Sequence, residues 1–409
     1  MKGLRVGIAA LVAASVLAFG GVEQSAQALL ELSAAVLFLL WGIRAFRARH
    51  LSIESNILFW PLGSLCGVAV AQLVLGRSAS AYLTQLELLK WAGCWLLMFL
   101  FIQSFRSASA FENFLWFLSG LGFFVALFGI IQSYTWNGKL YWLVPLPEGA
   151  GPFGPFVNRD HFAGFVELTA LPGLAVLLHR ALEPEKLALL GVMTMAPVGA
   201  LFLSASRGGI VAFLFACCLL LLLTRGEQIG KSRWLGLVIF AALAGAFIVW
   251  LGMSDTFERF GQLKAEGISR DRRVSMYRDT WKIIEHCPWM GTGLGTLVAV
   301  YPGFESQYDG RIVDHAHNDY LELLADTGLV GGVCGLAFLV LLTRGGLANW
   351  RKSGDPRVHA MQSGALAGCG GVLLHSLVEF NLHIPSNGLL FLLLTAIATM
   401  RVDGEAGEP

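Results

Sequence analysis

Apolar residues run along this chain in long unbroken stretches, separated by short polar ones. About twelve stretches are long enough to cross the apolar core of a bilayer as helices, once modest tilt and polar ends are allowed. They cover 4–21, 26–43, 55–75, 83–103, 111–132, 161–179, 186–204, 208–223, 234–252, 320–342, 359–379 and 385–400. The polar gaps are unequal, the longest being 253–319 and the next 133–160. Inside the longest gap the period changes. Val274, Tyr277, Trp281 and Ile284 recur at helical spacing over Ser269–Cys287, while Arg270, Arg272, Arg273, Arg278 and Lys282 fill other positions. This predicts a basic amphipathic helix, ended by Pro288, before a flexible turn at Gly291–Gly295. Such a helix suits the surface of anionic lipid. The pattern predicts an all-α, polytopic helical membrane protein, with 1–409 as a single integral membrane domain and 253–319 as a large external loop within it.

Composition agrees. Of 409 residues, 56% are hydrophobic and 14% charged, and mean hydropathy is +0.65, where a soluble domain is nearer a quarter charged. The net charge of +1 points to no nucleic-acid partner. Six of the seven cysteines (Cys66, Cys94, Cys217, Cys218, Cys334, Cys369) lie in apolar runs and only Cys287 in a loop. No disulfide framework or zinc spacing is expected. Lys2 and Arg5 before an apolar run, with Ala26-Gln27-Ala28 after it, fit a cleaved signal peptide, but the many later spans favour a retained first helix.

Charge orients the spans. Lys2, Arg5, Arg44, Arg47, Arg49, Arg106, Arg180, Lys186, Arg225, Lys231, Arg233, Arg344, Arg351, Lys352, Arg357 and Arg401 all fall at alternate ends. By the positive-inside rule those ends are cytoplasmic, as are both termini. The loops 133–160 and 253–319 and the turn Ser204–Gly209 then share the outer side. Every stretch of unusual polar chemistry lies in these three places.

One such stretch is Asp314-His315-Ala316-His317-Asn318-Asp319-Tyr320-Leu321-Glu322, which opens the span at 320–342. Asp314 or Asn318 can cap that helix, and Gly328 allows close packing. Once the helix begins, His317, Leu321 and Leu324 share one face and Asp319, Glu322 and Asp326 another. An imidazole at a membrane edge is a candidate proton acceptor, although a solvated helix end has the same composition. A second stretch, Asn158-Arg159-Asp160-His161, follows an aromatic, Pro- and Gly-rich loop and reads either as a helix cap behind an aromatic belt or as a substrate contact. In the third, Arg207 sits in Ser204-Ala205-Ser206-Arg207-Gly208-Gly209 with almost no loop around it. It either snorkels or meets an anion. Glu167 and Glu379, near span ends, could pair with an arginine or a sugar hydroxyl. No Asp-x-Asp metal box occurs, and no cofactor is expected.

His317-Asn318, nine residues, then Gly328-Leu329-Val330-Gly331 resembles the signature of bacterial O-antigen ligases and polymerases. Phe156-x-Asn158-x-x-His161-Phe162-Ala163, Ser206-Arg207-Gly208 and Arg273-x-x-x-Tyr277 before Pro288-x-x-Gly291-x-Gly293 are similar to further segments of that family. The resemblance implies a GT-C-like inner-membrane glycosyltransferase with its active site facing the periplasm. It implies an undecaprenyl-diphosphate-linked glycan donor and an acceptor that is lipid A core, another glycan or a protein. In this reading His317 is the base, and Arg207 and Arg273 hold the diphosphate. Arg272 replaces Arg273 if the register slips by one. Asn158, Arg159, His161, Arg278, His315 and Asn318 contact substrate. Transfer is then metal-independent and inverting, by a ligase, a repeat-unit polymerase or a protein O-oligosaccharyltransferase. A flippase is the alternative class, expected to place polar groups near the midplane rather than on one side. A non-enzymatic scaffold would tolerate loss of His317.

The charge pattern carries its own test. A reporter fused after Gly303 is expected to be periplasmic and one after Trp350 cytoplasmic; the reverse result would put all three polar stretches in the wrong compartment.

Overall fold

A computed structural model of the chain describes residues 1–49, 52–146, 150–224, 267–308 and 310–402. Among these are thirteen α-helices: α1 (Lys2–Leu17), α2 (Gln24–Arg47), α3 (Phe59–Val74), α4 (Ala81–Ser104), α5 (Ala108–Tyr134), α6 (Arg159–His179), α7 (Pro184–Leu203), α8 (Arg207–Leu223), α9 (Gly267–His286), the single turn α10 (Leu297–Val300), α11 (Asp319–Lys352), α12 (Pro356–His375) and α13 (Pro385–Thr399). Eleven of the twelve expected spans each coincide with one helix. The twelfth, 234–252, lies outside the described residues, as does the first part of the 253–319 loop. Six helices are long and apolar enough to cross a membrane (α2, α4, α5, α6, α7 and α11), and α3, α8 and α13 are shorter apolar helices. The chain is an all-α polytopic membrane protein. A two-stranded hairpin, Lys139–Leu140 against Val144–Pro145, is the one sheet among the described residues.

Short polar side chains set the helix starts. Ser80, Ser107, Asn158, Ser206, Asn318 and Asp355 each accept a backbone N–H of the first turn of α4, α5, α6, α8, α11 and α12, satisfying donors that have no partner within the helix. The apolar surface is then divided between protein and lipid. In α2 only Leu30 and Ala34 are buried, while Leu29, Leu32, Leu39, Leu40 and Phe46 face out. α6 is the opposite, buried without a break from His161 to Gly173. It packs backbone to backbone on α12, where a Cβ at Gly364 would stand 2.5 Å from the Cα of Pro172 and one at Gly368 would stand 2.8 Å from the Glu167 carbonyl oxygen. With lipid tails as apolar as the helices, such close approach supplies the attraction.

The two ends of the bundle differ. At one, Arg106 pairs with Glu54, Lys186 with Glu112 (3.1 Å), and Arg357 with Asp355 (2.9 Å) and Glu112 (3.2 Å). These are the basic residues that the charge pattern groups together. At the other end meet the starts of α6, α8 and α11, the end of α12, and α9.

α11 is not continuous. At Gly328 the backbone turns to φ 63°, ψ −163°, which frees the carbonyls before it. The segment after α9 takes them: Thr292 N–H donates to Ala325 O (3.0 Å) and Gly293 N–H to Asp326 O (2.9 Å), while Leu329 and Val330 N–H donate to Pro288 O (2.8 Å) and Trp289 O (3.1 Å). Gln72 of α3 closes the break, donating to Met290 O and Asp326 O and accepting from Leu294 N–H (3.0 Å). Gly291–Gly295, expected to be flexible, is therefore a docked strap. Its glycines at φ 66°, 119° and 75° let the backbone approach. The buried face of α9 also differs from expectation. Met276, Thr280 and Ile283 point inward, as does Ile284 of the expected face, whereas Val274 and Trp281 are half exposed. Asp279, also inward, explains the choice, because it accepts both the N–H and the hydroxyl of Ser306 (2.8 Å each) and ties the following loop to the helix.

A Cβ at Gly328 would lie 2.4 Å from the carbonyl carbon of Trp289, on top of the cost of the left-handed backbone. Gly328→Ala is expected to destabilise the protein by at least about 2 kcal/mol. The check is thermal unfolding in detergent, where an unchanged midpoint would contradict the docked strap.

Candidate active site

Just before α11 the chain is extended and ends on His317 at φ 49°, a left-handed conformation uncommon outside glycine. The helix starts only at Asp319. His317 is thus outside it, and the shared face with Leu321 and Leu324 expected from spacing does not form. Asn318, not Asp314, is the cap: its Oδ1 accepts from Tyr320 and Leu321 N–H (3.0 Å each) and its amide donates to Leu377 O (2.9 Å). The His317 carbonyl accepts the phenol proton of Tyr277 on α9 (3.0 Å). Burial raises the Tyr277 phenol above its ordinary range, which keeps that proton in place.

The acidic face of α11 is the buried one. Asp319, Glu322 and Asp326 are all at most 5% exposed, and each accepts at least one hydrogen bond, with Asp326 Oδ1 left unpartnered among the described residues. Glu322 Oε1 meets Nδ1 of His315 (2.7 Å) and Oε2 accepts Ala316 N–H (2.9 Å). Asp319 meets Nδ1 of His383 (2.7 Å), in the turn between α12 and α13. Asp326 accepts Gly295 N–H of the strap (2.7 Å). The ligand-type atoms of His315, Glu322 and His383 lie within 4.8 Å of one another, the one such cluster among the described residues, a spacing one cation could bridge. A proton on His383 can also neutralise the cluster. Burial alone would lower His383, but Glu322 and Asp319 outweigh it and push the imidazole up to about 9, so it carries the charge that the two carboxylates need.

Glu379 joins the parts that sequence keeps far apart. One carboxylate oxygen holds the guanidinium of Arg273 and the other Nδ1 of His317 (2.9 Å). A carboxylate only accepts, so Nδ1 carries the imidazole proton and Nε2 is left with its lone pair. The next residue, Phe380, seats three imidazoles: His315 stacks on it at 4.2 Å, and His161 and His317 meet it edge-on at 4.6 and 4.9 Å.

Of the two arginines between which spacing leaves a choice, Arg273 reaches Glu379, while Arg272 lies on the side of Tyr301. Arg278 is exposed on the same helix. Arg207 opens α8 on the exposed side of its turn, after Ala205 at φ 54°. The turn is fixed to α6 by the Ser206 hydroxyl, which donates to Asp160 (2.5 Å). It also abuts the end of α12, since a Cβ at Gly208 would stand 3.2 Å from Nε2 of His375 and 3.3 Å from Val378. Asn158 caps α6, Arg159 at its first position is exposed, and His161 is buried with Nε2 unpartnered among the described residues. Asn158 and Asn318 thus both use their side-chain oxygens to cap helices. Glu167, fully buried, pairs with His375 (2.9 Å).

His383, Phe380 and the bridging role of Glu379 are absent from the sequence reading. The signal available was Glu379-Phe380-Asn381-Leu382-His383, a polar run directly after an apolar span.

The His383 ion network gives a signed pH effect. A group raised from 6.5 to about 9 on folding contributes stability that is complete below pH 6.5 and disappears as pH rises through about 9. The unfolding midpoint in detergent is expected to fall over that window, and His383→Gln should remove this part of the fall. An equal slope in both proteins would show that His383 is not protonated in the fold.

No curated protein matches the chain. A family model described as O-antigen ligase matches residues 190–336, about a third of the chain, from within α7 to within α11. The matched stretch holds Arg207, Arg273 and His317, whereas Glu379 lies beyond it. This match supports the O-antigen ligase and polymerase superfamily of surface-polysaccharide assembly, over the stretch that it covers.

Proposed function

We propose that the protein transfers a glycan from undecaprenyl diphosphate to an acceptor hydroxyl at the periplasmic face of the inner membrane, as O-antigen ligases do. The observation that carries this is the meeting of Arg273 and His317, 44 residues apart, on the one carboxylate of Glu379. A phosphate-binding cation and a base with a free Nε2 are thereby held side by side, with Arg207 opening a helix at the same end of the bundle.

In the proposed step Nε2 of His317 takes the proton of the acceptor hydroxyl as its oxygen attacks the anomeric carbon. The bond from that carbon to the diphosphate oxygen breaks, and the leaving oxygen keeps the electron pair. Attack opposite the leaving group inverts the anomeric centre. Arg273 and Arg207 meet the charge that develops on the diphosphate, each with a planar pair of N–H donors that never deprotonates. The chain's own arginines thus supply the electrostatic stabilisation, without a metal ion. The acceptor is lipid A core, a further repeat unit or a protein hydroxyl. Purified protein incubated with radiolabelled undecaprenyl-diphosphate glycan and separated by size distinguishes these. One shifted acceptor band indicates a ligase, a ladder indicates a polymerase, and movement of lipid with no new product indicates a flippase and sinks the proposal.

His317→Ala is expected to lose about 10²–10⁴-fold in single-turnover rate while retaining donor binding. His315→Ala should be milder. Arg207→Lys and Arg273→Lys each keep a charge but lose the fork. Loss of one charge-assisted hydrogen bond, about 1.5–3 kcal/mol, weakens donor binding roughly 10- to 100-fold. Full turnover and affinity in both lysine variants would remove the clamp assignment.

A further inference from the structure

We propose that Glu379 is a positioning residue that changes partners when the donor binds: the diphosphate takes Arg273 from it, and its carboxylate is left to His317 alone. This rests on the glycosyl-transfer reading above.

Exposure sets the order of events. The Arg273 side chain is 44% exposed and that of Glu379 2%. An anion arriving from outside therefore reaches the guanidinium first, on the side that Glu379 does not cover. The pair is weakly held, because an ion pair with one half-exposed member contributes little net stability. A diphosphate brings more negative charge and more acceptor oxygens than one carboxylate, and Arg binds such groups through paired hydrogen bonds. Exchange is thus favourable at Arg273.

At His317 the exchange alters charge without moving the backbone. Three anchors hold the residue independently of Arg273: Tyr277 on its carbonyl, the Asn318 cap, and the Asn318 amide on Leu377 O. Only the ring depends on Glu379, with Phe380 against its edge. While Arg273 is paired, the guanidinium neutralises much of the carboxylate's field. Once Arg273 turns to the diphosphate, the full negative charge of a buried carboxylate faces Nδ1–H. That charge stabilises the imidazolium which forms as Nε2 takes the acceptor proton. Donor binding and proton acceptance are then coupled, and the coupling works in both directions. An enzyme so arranged keeps its base weak until a donor is in place.

The test uses full-length protein in lipid nanodiscs, with undecaprenyl diphosphate as the binding probe and its labelled glycan for single-turnover transfer. Glu379→Gln removes the competitor at Arg273 and the charge at His317. It is expected to bind undecaprenyl diphosphate at least as tightly as the wild type, yet to transfer about 10²-fold more slowly. Glu379→Asp should recover part of the rate. In the double variant Glu379→Gln with His317→Ala, the Gln substitution should cost nothing beyond His317→Ala alone, because Glu379 acts through the histidine. Parallel loss of binding and rate in Glu379→Gln, or wild-type transfer, would overturn the proposal. Should Glu379→Gln fail to insert, Glu379→Asp carries the same test, with weakened binding of the probe as the contrary result. Absence of glycan transfer by the wild type would count against the enzymatic reading itself, whereas an active wild type, an inactive His317→Ala and a fully active Glu379→Gln would remove this inference alone.

Discussion

Backbone polar groups in apolar surroundings must find partners, and the break in α11 at Gly328 is where this protein meets that requirement across two segments. A helix that stops and restarts exposes carbonyls, and here the strap after α9 supplies the N–H groups. That exchange fixes α9 to α11. It therefore sets how Arg273 and Tyr277, on one helix, stand relative to His317 at the start of the other. The side-chain amide of Gln72 makes α3 a party to the same junction, so the bundle holds the strap as well as α11 does.

The chemistry of the site repeats one device. Glu167 with His375, Asp319 with His383, Glu322 with His315 and Glu379 with His317 are four carboxylate–imidazole pairs at one end of the bundle. Buried carboxylates need compensation, and an imidazole can give it as a hydrogen-bond donor or as a cation. Three of the pairs are closed on themselves or cross-linked to neighbours. The Glu379 pair differs in sharing its carboxylate with Arg273, an arginine whose side chain is 44% exposed.

Sequence made the architecture legible because spans are long and apolar whatever they pack against. The caps at Asn158 and Asn318 were legible for a related reason: capping acts locally, within a few residues of chain. That Glu379 could meet an arginine was legible, but which arginine, its second bond to His317 and the place of His383 were not, because the partners lie 62 to 106 residues away and no spacing within one segment announces such a pairing. Face assignments failed for definite causes. His317 was placed on a helix that starts two residues later, and α9 turned its Asp279 inward to meet Ser306, against the pull of Val274 and Trp281 toward the core. Arg272 and Arg273 differ by one position, and only the direction of α9 against the α12–α13 turn separates them.

The left-handed backbone of His317 has a consequence for how this position tolerates change. Asparagine or glycine would sit there with less strain than histidine does, so the fold by itself would prefer either. If His317 serves as the proposed base, durability yields to reactivity at this position, and selection for a hardier protein alone would be expected to erode the site here first.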